Sequence, residues 1–386
     1  MKKVERYQRV PVLPYPEREW PDKEIQKAPV WVSVDLRDGN QALVDPMVVS
    51  EKLEMWNLLM KLGFKEVEVG FPAASQIEFD FIRKLIEEDR IPDDVRIQVL
   101  SQCRKEQIER TFECIKGCKQ AIVHIYNSTS TLQRDVVFNK NREEIKEIAV
   151  QGTKWVKELA EDFPGKIILE YSPESFTGTE MDYAVEICTA VQEVWQPTKE
   201  DPMIVNLPST VEMTTPNVYA DQIEYCSKHF KDRDSIILSV HPHNDRGEGV
   251  AATELALLAG AQRVEGTLTA FSGSHQDAIN KGITAMRERN SSIWQVPYLT
   301  IDPADIGRRY EPIVRINSQS GKGGVAFVMD AYFGFKLPKA MQREFADVVQ
   351  SRSEKEGEVP PEEIMEMFRE EYLDRKEPLH FRKLQV

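Results

Sequence analysis

Short apolar, β-branched runs alternate with longer amphipathic stretches along the first two-thirds of the chain, and this rhythm limits the fold more than any other feature. It predicts strands over Val30–Leu36, Glu66–Phe71, Val95–Ser101, Ala121–Tyr126, Lys166–Tyr171, Met203–Leu207, Ser235–Val240 and Arg263–Leu268. Helical spacing of apolar residues falls between them, near 50–62, 76–89, 104–117, 142–162, 180–195, 216–230 and 248–259. Strands that are apolar on both faces and separated by helices read as parallel βαβ units. Eight of them predict an α/β fold of the (β/α)8 TIM-barrel type, which takes roughly 250 residues. An open doubly wound sheet is the competing arrangement, but no G-x-G-x-x-G follows the first run.

After Leu268 the rhythm stops. A glycine-rich segment, Ser318–Val328, is followed by two helical patterns near 338–351 and 360–373. The first 27 residues are polar and proline-containing, and they read as an arm laid on the surface. They lack the apolar core of a signal peptide, and no apolar run reaches the ~18 residues of a membrane span. The net charge is -14. An acidic surface of this kind argues against non-specific binding to nucleic acid or to anionic membranes. The five cysteines form no C-x-x-C pair. Cys114 and Cys118 lie one helical turn apart and read as core positions, since no His or Asp completes a metal set. Reduced thiols and a cytoplasmic location are the expectation.

Chemistry in a barrel gathers at the C-terminal ends of the strands. The first strand ends in Asp35-Leu36-Arg37-Asp38-Gly39-Asn40, which makes poor core. The fourth ends in His124-Ile125-Tyr126-Asn127-Ser128, the fifth in Tyr171-Ser172-Pro173-Glu174 and the sixth in Asn206-Leu207-Pro208-Ser209-Thr210. The seventh ends in His241-Pro242-His243-Asn244-Asp245. Residues i and i+2 of a strand face one side, so two imidazoles converge at the barrel mouth. Together with Asp38 they suit Zn²⁺, Mn²⁺, Fe²⁺ or Mg²⁺. Of six histidines, His124, His241, His243 and His275 fall in such polar motifs, while His229 and His380 do not. A divalent metal beside an arginine suits polarisation of a 2-oxo acid, with the arginine steadying the oxyanion and a base making a carbon nucleophile from a second substrate.

The D-x-R-D-G and H-x-H-N-D strand ends resemble the metal-dependent barrel family of 2-isopropylmalate, homocitrate and citramalate synthases and hydroxymethylglutaryl-CoA lyase. Within it, the long bacterial 2-isopropylmalate synthases are most similar. The resemblance runs through WVSVDLRDGNQALVDPM (31–47), HIYNSTS (124–130), YSPESFTGTE (171–180), HPHNDRGEGVAATELALLAGAQRVEGTL (241–268), FSGSHQDAINKG (271–282), VPYLTIDPADIGR (296–308) and INSQSGKGGVAF (316–327). It implies condensation of acetyl-CoA, as co-substrate, with 3-methyl-2-oxobutanoate on the route to leucine. A sister synthase that takes another 2-oxo acid and a shortened chain with little turnover are the rival readings.

The resemblance implies roles residue by residue. Asp38, His241 and His243 are implied as ligands of a divalent metal (Mg²⁺, Mn²⁺ or Zn²⁺), and Arg37 as the oxyanion partner. His124, Ser172 and Thr210 are implied as contacts to the 2-oxo acid, with Glu174 and His275 as a proton relay. Tyr298 is implied as a residue offered across a homodimer. The expected domains are an arm over 1–27, a barrel over 28–268, one linker subdomain over 269–330 and a helical one over 331–386. Two departures from the family stand out. Leu268 runs straight into Thr269, where the family has a glycine- and asparagine-containing loop that supplies a metal ligand, and then the last barrel helix. A segment omitted or deleted there is the expectation, with Leu268 and Thr269 too far apart for one peptide bond. A leucine-binding regulatory domain does not follow within the sequence given.

Overall fold

The computed structural model describes residues 4–7, 9–11, 13–43, 45–268, 276–299, 302–306, 322–356 and 359–374. Eight parallel strands close into a barrel in sequence order: β1 (Val30–Ser33), β2 (Glu66–Gly70), β3 (Arg96–Gln102), β4 (Gln120–Ser128), β5 (Lys166–Glu174), β6 (Met203–Ser209), β7 (Ile236–Pro242) and β8 (Arg263–Gly266). The barrel closes where β1 pairs with β8, from Val30 opposite Arg263 to Ser33 opposite Gly266. The helices of this unit are α1 (Val49–Leu62), α2 (Gln76–Glu87), α3 (Lys105–Ile115), the single turn α4 (Thr131–Gln133), α5 (Arg142–Glu161), α6 (Met181–Trp195), α7 (Pro216–His229), α8 (Gly249–Leu258) and α9 (Gln276–Glu288). Local signals set several starts. Ser75 Oγ accepts from the Glu78 amide at 3.3 Å to cap α2, and Asn141 with Glu144 forms a reciprocal cap on α5.

Two-residue periodicity sorts each strand into a face under the helices and a face inside the barrel. Ile122, Ile168 and Ile204, with Ile237 packed against them, form an apolar plug inside. Two residues further along each strand the interior turns polar, at His124, Glu170, Asn206 and Ser239. The fully buried Arg263 sits among these groups. It donates to Glu66 (2.7 Å), Glu265 (2.6 Å), Ser239 (2.9 Å), Glu170 (3.3 Å) and Gln98. The eight-strand architecture agrees with the sequence reading, but the interior is far more charged than the usual branched aliphatic layers.

The first predicted strand is too long. β1 stops at Ser33, because the Val34 carbonyl accepts from the amides of Arg37 (3.1 Å), Asp38 (2.8 Å) and Gly39 (3.2 Å). This winds Asp35–Gly39 into one wide π-helical turn. The arm is anchored, as Arg18 donates to Asp221 at 2.9 and 2.5 Å and Trp20 Nε1 donates to the same carboxylate at 2.7 Å. Beyond β8, α9 packs on the Arg134–Phe138 segment at the mouth, with Arg289 paired to Asp135. Val30 and Trp31 of β1 are 41% and 56% exposed. Thr269 lies outside the described residues, so the expected break after Leu268 does too. All five cysteines are buried and unpaired.

The chain divides into two compact units, Met1–Ala42 with Val49–Arg309, and Leu43–Val48 with Tyr310–Val386. The second contains α10 (Lys322–Phe333), α11 (Lys339–Glu356) and α12 (Pro361–Phe368), held by a core that includes Val328, Phe345, Val349, Ile364 and Phe368. The unit boundary at Arg309 differs from the boundaries at 268 and 330 read from the sequence. No helix of the described residues is long and apolar enough to cross a membrane.

Replacing Arg263 by Leu leaves the buried carboxylates around it uncompensated. The expected loss is about 3–5 kcal/mol of stability, read from urea unfolding. An unchanged urea midpoint contradicts the ledger of charge described above.

Candidate functional site

The turn after β1 and the end of β7 bring Asp38, His241 and His243 together, each offering a ligand atom within 4.8 Å of the others. His241 Nε2 lies 3.3 Å, and His243 Nε2 3.8 Å, from Asp38 Oδ2. His241 is the last but one residue of β7 and His243 lies just past its end, on the same side. His241 Nδ1 faces Glu265 of β8 at 2.9 Å, which fixes the ring and turns Nε2 toward Asp38. Burial lowers the His241 pKa, but hydrogen bonds to Asp38 and Glu265 overcome it and raise the group to about 9. Burial works against ionisation of Asp38, yet Arg37 and His241 hold it well below the usual carboxylate range. Two imidazoles and one carboxylate converging on a small volume form a donor set that fits a divalent cation, which is favoured where a proton now sits.

Arg37 is gripped on both sides, by Asp38 and by Glu68 of β2. Glu68 also faces His124 Nδ1 at 2.9 Å and accepts from Gln98 Nε2 at 2.7 Å. His124 Nε2 is 2.7 Å from Ser172 Oγ, which accepts from Asn206 Nδ2 at 3.0 Å. The structure thus places His124 and Ser172 together in the barrel interior, on the same network as Arg37. Thr210 is buried nearby in sequence to β6, with its Oγ1 accepting from the Ser175 amide at 3.0 Å.

Glu174 ends β5. Its carboxylate accepts from Ser128 on one oxygen and from the Tyr298 hydroxyl at 2.5 Å on the other. Burial, then the Glu174 charge, raises Tyr298 well above the usual phenol range, so it stays a donor at neutral pH. Tyr298 and Ser175 both adopt left-handed backbone conformations, with φ of 60° and 59°. Strain of this kind, at the residue that donates to the Glu174 carboxylate and at the residue that follows Glu174 in the chain, gathers at functional sites. Tyr298 reaches Glu174 of its own chain, whereas the sequence reading offered it across a dimer. Few residues separate β8 from α9, and this keeps the segment close to its own barrel. His275 lies outside the described residues.

Sequence reasoning missed Glu66, Glu68, Gln98, Glu170, Asn206, Arg263 and Glu265. Each is a polar residue in an otherwise apolar strand, and alternate-residue spacing within β2 and β8 carried the signal. His124, Glu170 and Glu265 also lie within ligand distance of one another. Arg263 already pairs with both carboxylates, which makes that cluster an ion-pair core. Burial pushes Glu170 well above the usual carboxylate range against the pull of Arg263, and Glu265 adds to the rise.

A family model described as HMGL-like matches residues 28–276, and one described as alpha-isopropylmalate synthase, post-catalytic domain-like, matches residues 265–330. The 2-isopropylmalate synthase of Clostridium acetobutylicum is 48% identical over 445 aligned positions, covering 99% of this chain and 80% of that protein. That of Bifidobacterium longum subsp. infantis is 51% identical over 429 positions, covering 93% of this chain and 67% of that protein. Since this chain has 386 residues, at least 59 of the 445 positions fall opposite no residue of it. Among solved structures, an HMG-CoA lyase from Brucella melitensis has a TM-score of 0.49 at 16% identity, covering 68% of this chain and 92% of that one.

Proposed function

The chain belongs to the 2-isopropylmalate synthases of the HMGL-like group, and from that premise we propose how its residues divide the work of condensing acetyl-CoA with 3-methyl-2-oxobutanoate and water to give 2-isopropylmalate and CoA. The acetyl group becomes an alkyl group on transfer. The observation that carries the residue roles is the convergence of Asp38, His241 and His243 beside Arg37.

Asp38, His241 and His243 would hold a divalent ion, Mg²⁺, Mn²⁺ or Zn²⁺, which supplies Lewis-acid polarisation of the 2-oxo carbonyl when bound. Arg37, kept charged between Asp38 and Glu68, faces the oxygen on which negative charge develops. His124, Ser172 and Thr210 bind and orient the 2-oxo acid. Glu174, positioned by Ser128 and Tyr298, takes part with His275 in moving the proton that turns the acetyl methyl group into a nucleophile. The oxo acid is the proposal's discriminating element, and turnover with pyruvate or 2-oxoglutarate in place of 3-methyl-2-oxobutanoate would reassign the chain to a sister synthase. We also place a homodimer, a cytoplasmic location, the subdomain boundaries at 27, 268 and 330, and a gap relative to the family after Leu268 in this reading.

His243→Ala should weaken Mn²⁺ binding by more than about a hundredfold and abolish turnover while the far-ultraviolet circular dichroism stays unchanged. Retained metal binding in this variant overturns the ligand assignment.

The His241 pKa sets a second expectation. Below its ordinary value of 6.5 the imidazolium is present folded or unfolded, and its extra stabilisation of the metal-free chain disappears as pH rises through about 9. Metal must displace that proton. Mn²⁺ affinity should therefore rise about tenfold per pH unit up to about 9 and then level off. Titration calorimetry showing a flat profile from neutral pH upward rejects the coupling.

The contact between Tyr298 and Glu174 within one chain sets a third. Mixing Glu174→Gln chains with Tyr298→Phe chains, after co-refolding, should restore no activity. Recovery of up to a quarter of the wild-type rate would show that the pair is completed across two copies.

A further inference from the structure

Lys52 of α1 is fully buried, and its Nζ lies 2.5 Å from Glu78 Oε1 of α2, itself buried. The same ammonium donates to the Leu36 carbonyl at 2.8 Å and stands 5.2 Å over the Phe81 ring. Leu36 is the residue between Asp35 and Arg37, inside the wide turn that presents Arg37 and Asp38. Glu78 ties down two more pieces of the same corner. It accepts from the Asn40 side chain at 3.5 Å, just past that turn, and from the Phe71 amide at 3.1 Å, just past β2. Gly70 makes room for this carboxylate, because a Cβ there would stand 2.1 Å from Glu78 Oε2.

A buried ion pair with this geometry is an expensive way to hold two helices together, since apolar side chains of similar volume do so at no loss. What apolar side chains cannot do is grip a carbonyl in the turn, an amide at the neighbouring strand end and a buried Asn at once. The pairing with β8 ends at the Val34 amide, which donates to the Gly266 carbonyl at 3.0 Å, and beyond it the turn is held by the Val34 carbonyl and by the Asp35 carboxylate, which accepts from the Leu268 amide at 2.9 Å. These bonds hold the start of the turn from the β8 side, and Lys52 and Glu78 hold Leu36 and Asn40 from the helix side.

We propose that Lys52 and Glu78 are positioning residues, a buried brace that sets the Leu36 carbonyl and thereby aims Asp38 at the histidines and Arg37 at the developing oxyanion. Neither touches the reacting atoms. The brace acts through the backbone of residues 36–40, and its effect falls on the metal and on the rate of the chemical step. The expectation for KM of acetyl-CoA is little change. The inference rests on the metal assignment above for Asp38, His241 and His243.

The test uses the full chain and three variants. Lys52→Met with Glu78→Leu removes both charges together and keeps volume. It should fold, with a thermal midpoint lowered by the Leu36 carbonyl and Phe71 amide that lose their partners, and it should bind Mn²⁺ tenfold to a hundredfold more weakly and lose kcat by a similar factor, with KM for acetyl-CoA within twofold. Glu78→Gln keeps the shape but has one acceptor oxygen in place of two, so it keeps either the Asn40 or the Phe71 contact, and it decides the matter if the double variant does not fold, with an expected loss of at least threefold in Mn²⁺ affinity. Lys52→Arg restores a cation that can reach the Leu36 carbonyl and should recover part of the loss. A folded double variant, or failing that Glu78→Gln, whose Mn²⁺ affinity and kcat match the parent overturns the brace. Parent protein that binds no Mn²⁺ overturns the metal assignment instead, so the two failures are told apart.

Discussion

The guanidinium of Arg263 is the interaction on which the rest of this barrel depends. Four glutamates, Glu66, Glu68, Glu170 and Glu265, point into an interior that water does not fill, and each is at most 5% exposed. Isolated carboxylates at that depth are strongly unfavourable. Arg263 contacts three of the four, and the Arg37 guanidinium takes the other. Burial and Glu265 beside it push the Glu170 carboxyl well above the usual carboxylate range, against the pull of Arg263. Folding and site formation are therefore one event. Strands that bring Arg263, Glu66 and Glu265 into register also bring His241 and His124 into theirs.

The same carboxylates then do a second job. Glu265 is shared between Arg263 and His241, and Glu68 between Arg37 and His124. Gln98 joins the two, donating to Glu68 at 2.7 Å and to Glu265 at 3.1 Å. The imidazole that faces Asp38 and the one that faces Ser172 are thus oriented by one connected set of hydrogen bonds. Such a set has few ways to relax, which keeps the upper face of the barrel preorganised for charge that appears during reaction. The apolar plug of Ile122, Ile168 and Ile204 beneath it excludes water from the opposite end.

The architecture was legible because parallel strands covered on both faces write themselves as apolar runs, and polar residues at their ends are hard to explain as core. His241 and His243 could be read from period two alone. The turn at Asp35–Gly39 could not, because a run as apolar as Val30–Leu36 gives no sign that Val34 turns its carbonyl to three amides. Lys52 and Glu78 carried no signal of their own, since a single sequence shows charge but not depth. The interior glutamates hid for the opposite reason, standing among valines in runs counted as strands by their average. The contact of Tyr298 with Glu174 was not legible, because it depends on how the chain after β8 returns to the end of β5.

That connection has a geometric consequence. From Leu268 to Gln276 the chain spans at most about 29 Å even if fully extended. The start of α9 must lie within that radius of the β8 end, and α9 settles on Arg134–Phe138, on the loop that follows β4. It therefore lies over the mouth rather than along the outer face of β8 and β1, where Val30 and Trp31 stay open. From there the chain needs only a short further run to place Tyr298 over Glu174, and the left-handed backbone at Tyr298 is the bend that completes it. A longer connection after Leu268 would relax that radius. Chain length at this one junction thus bounds how far from the end of β8 the helix α9 can begin.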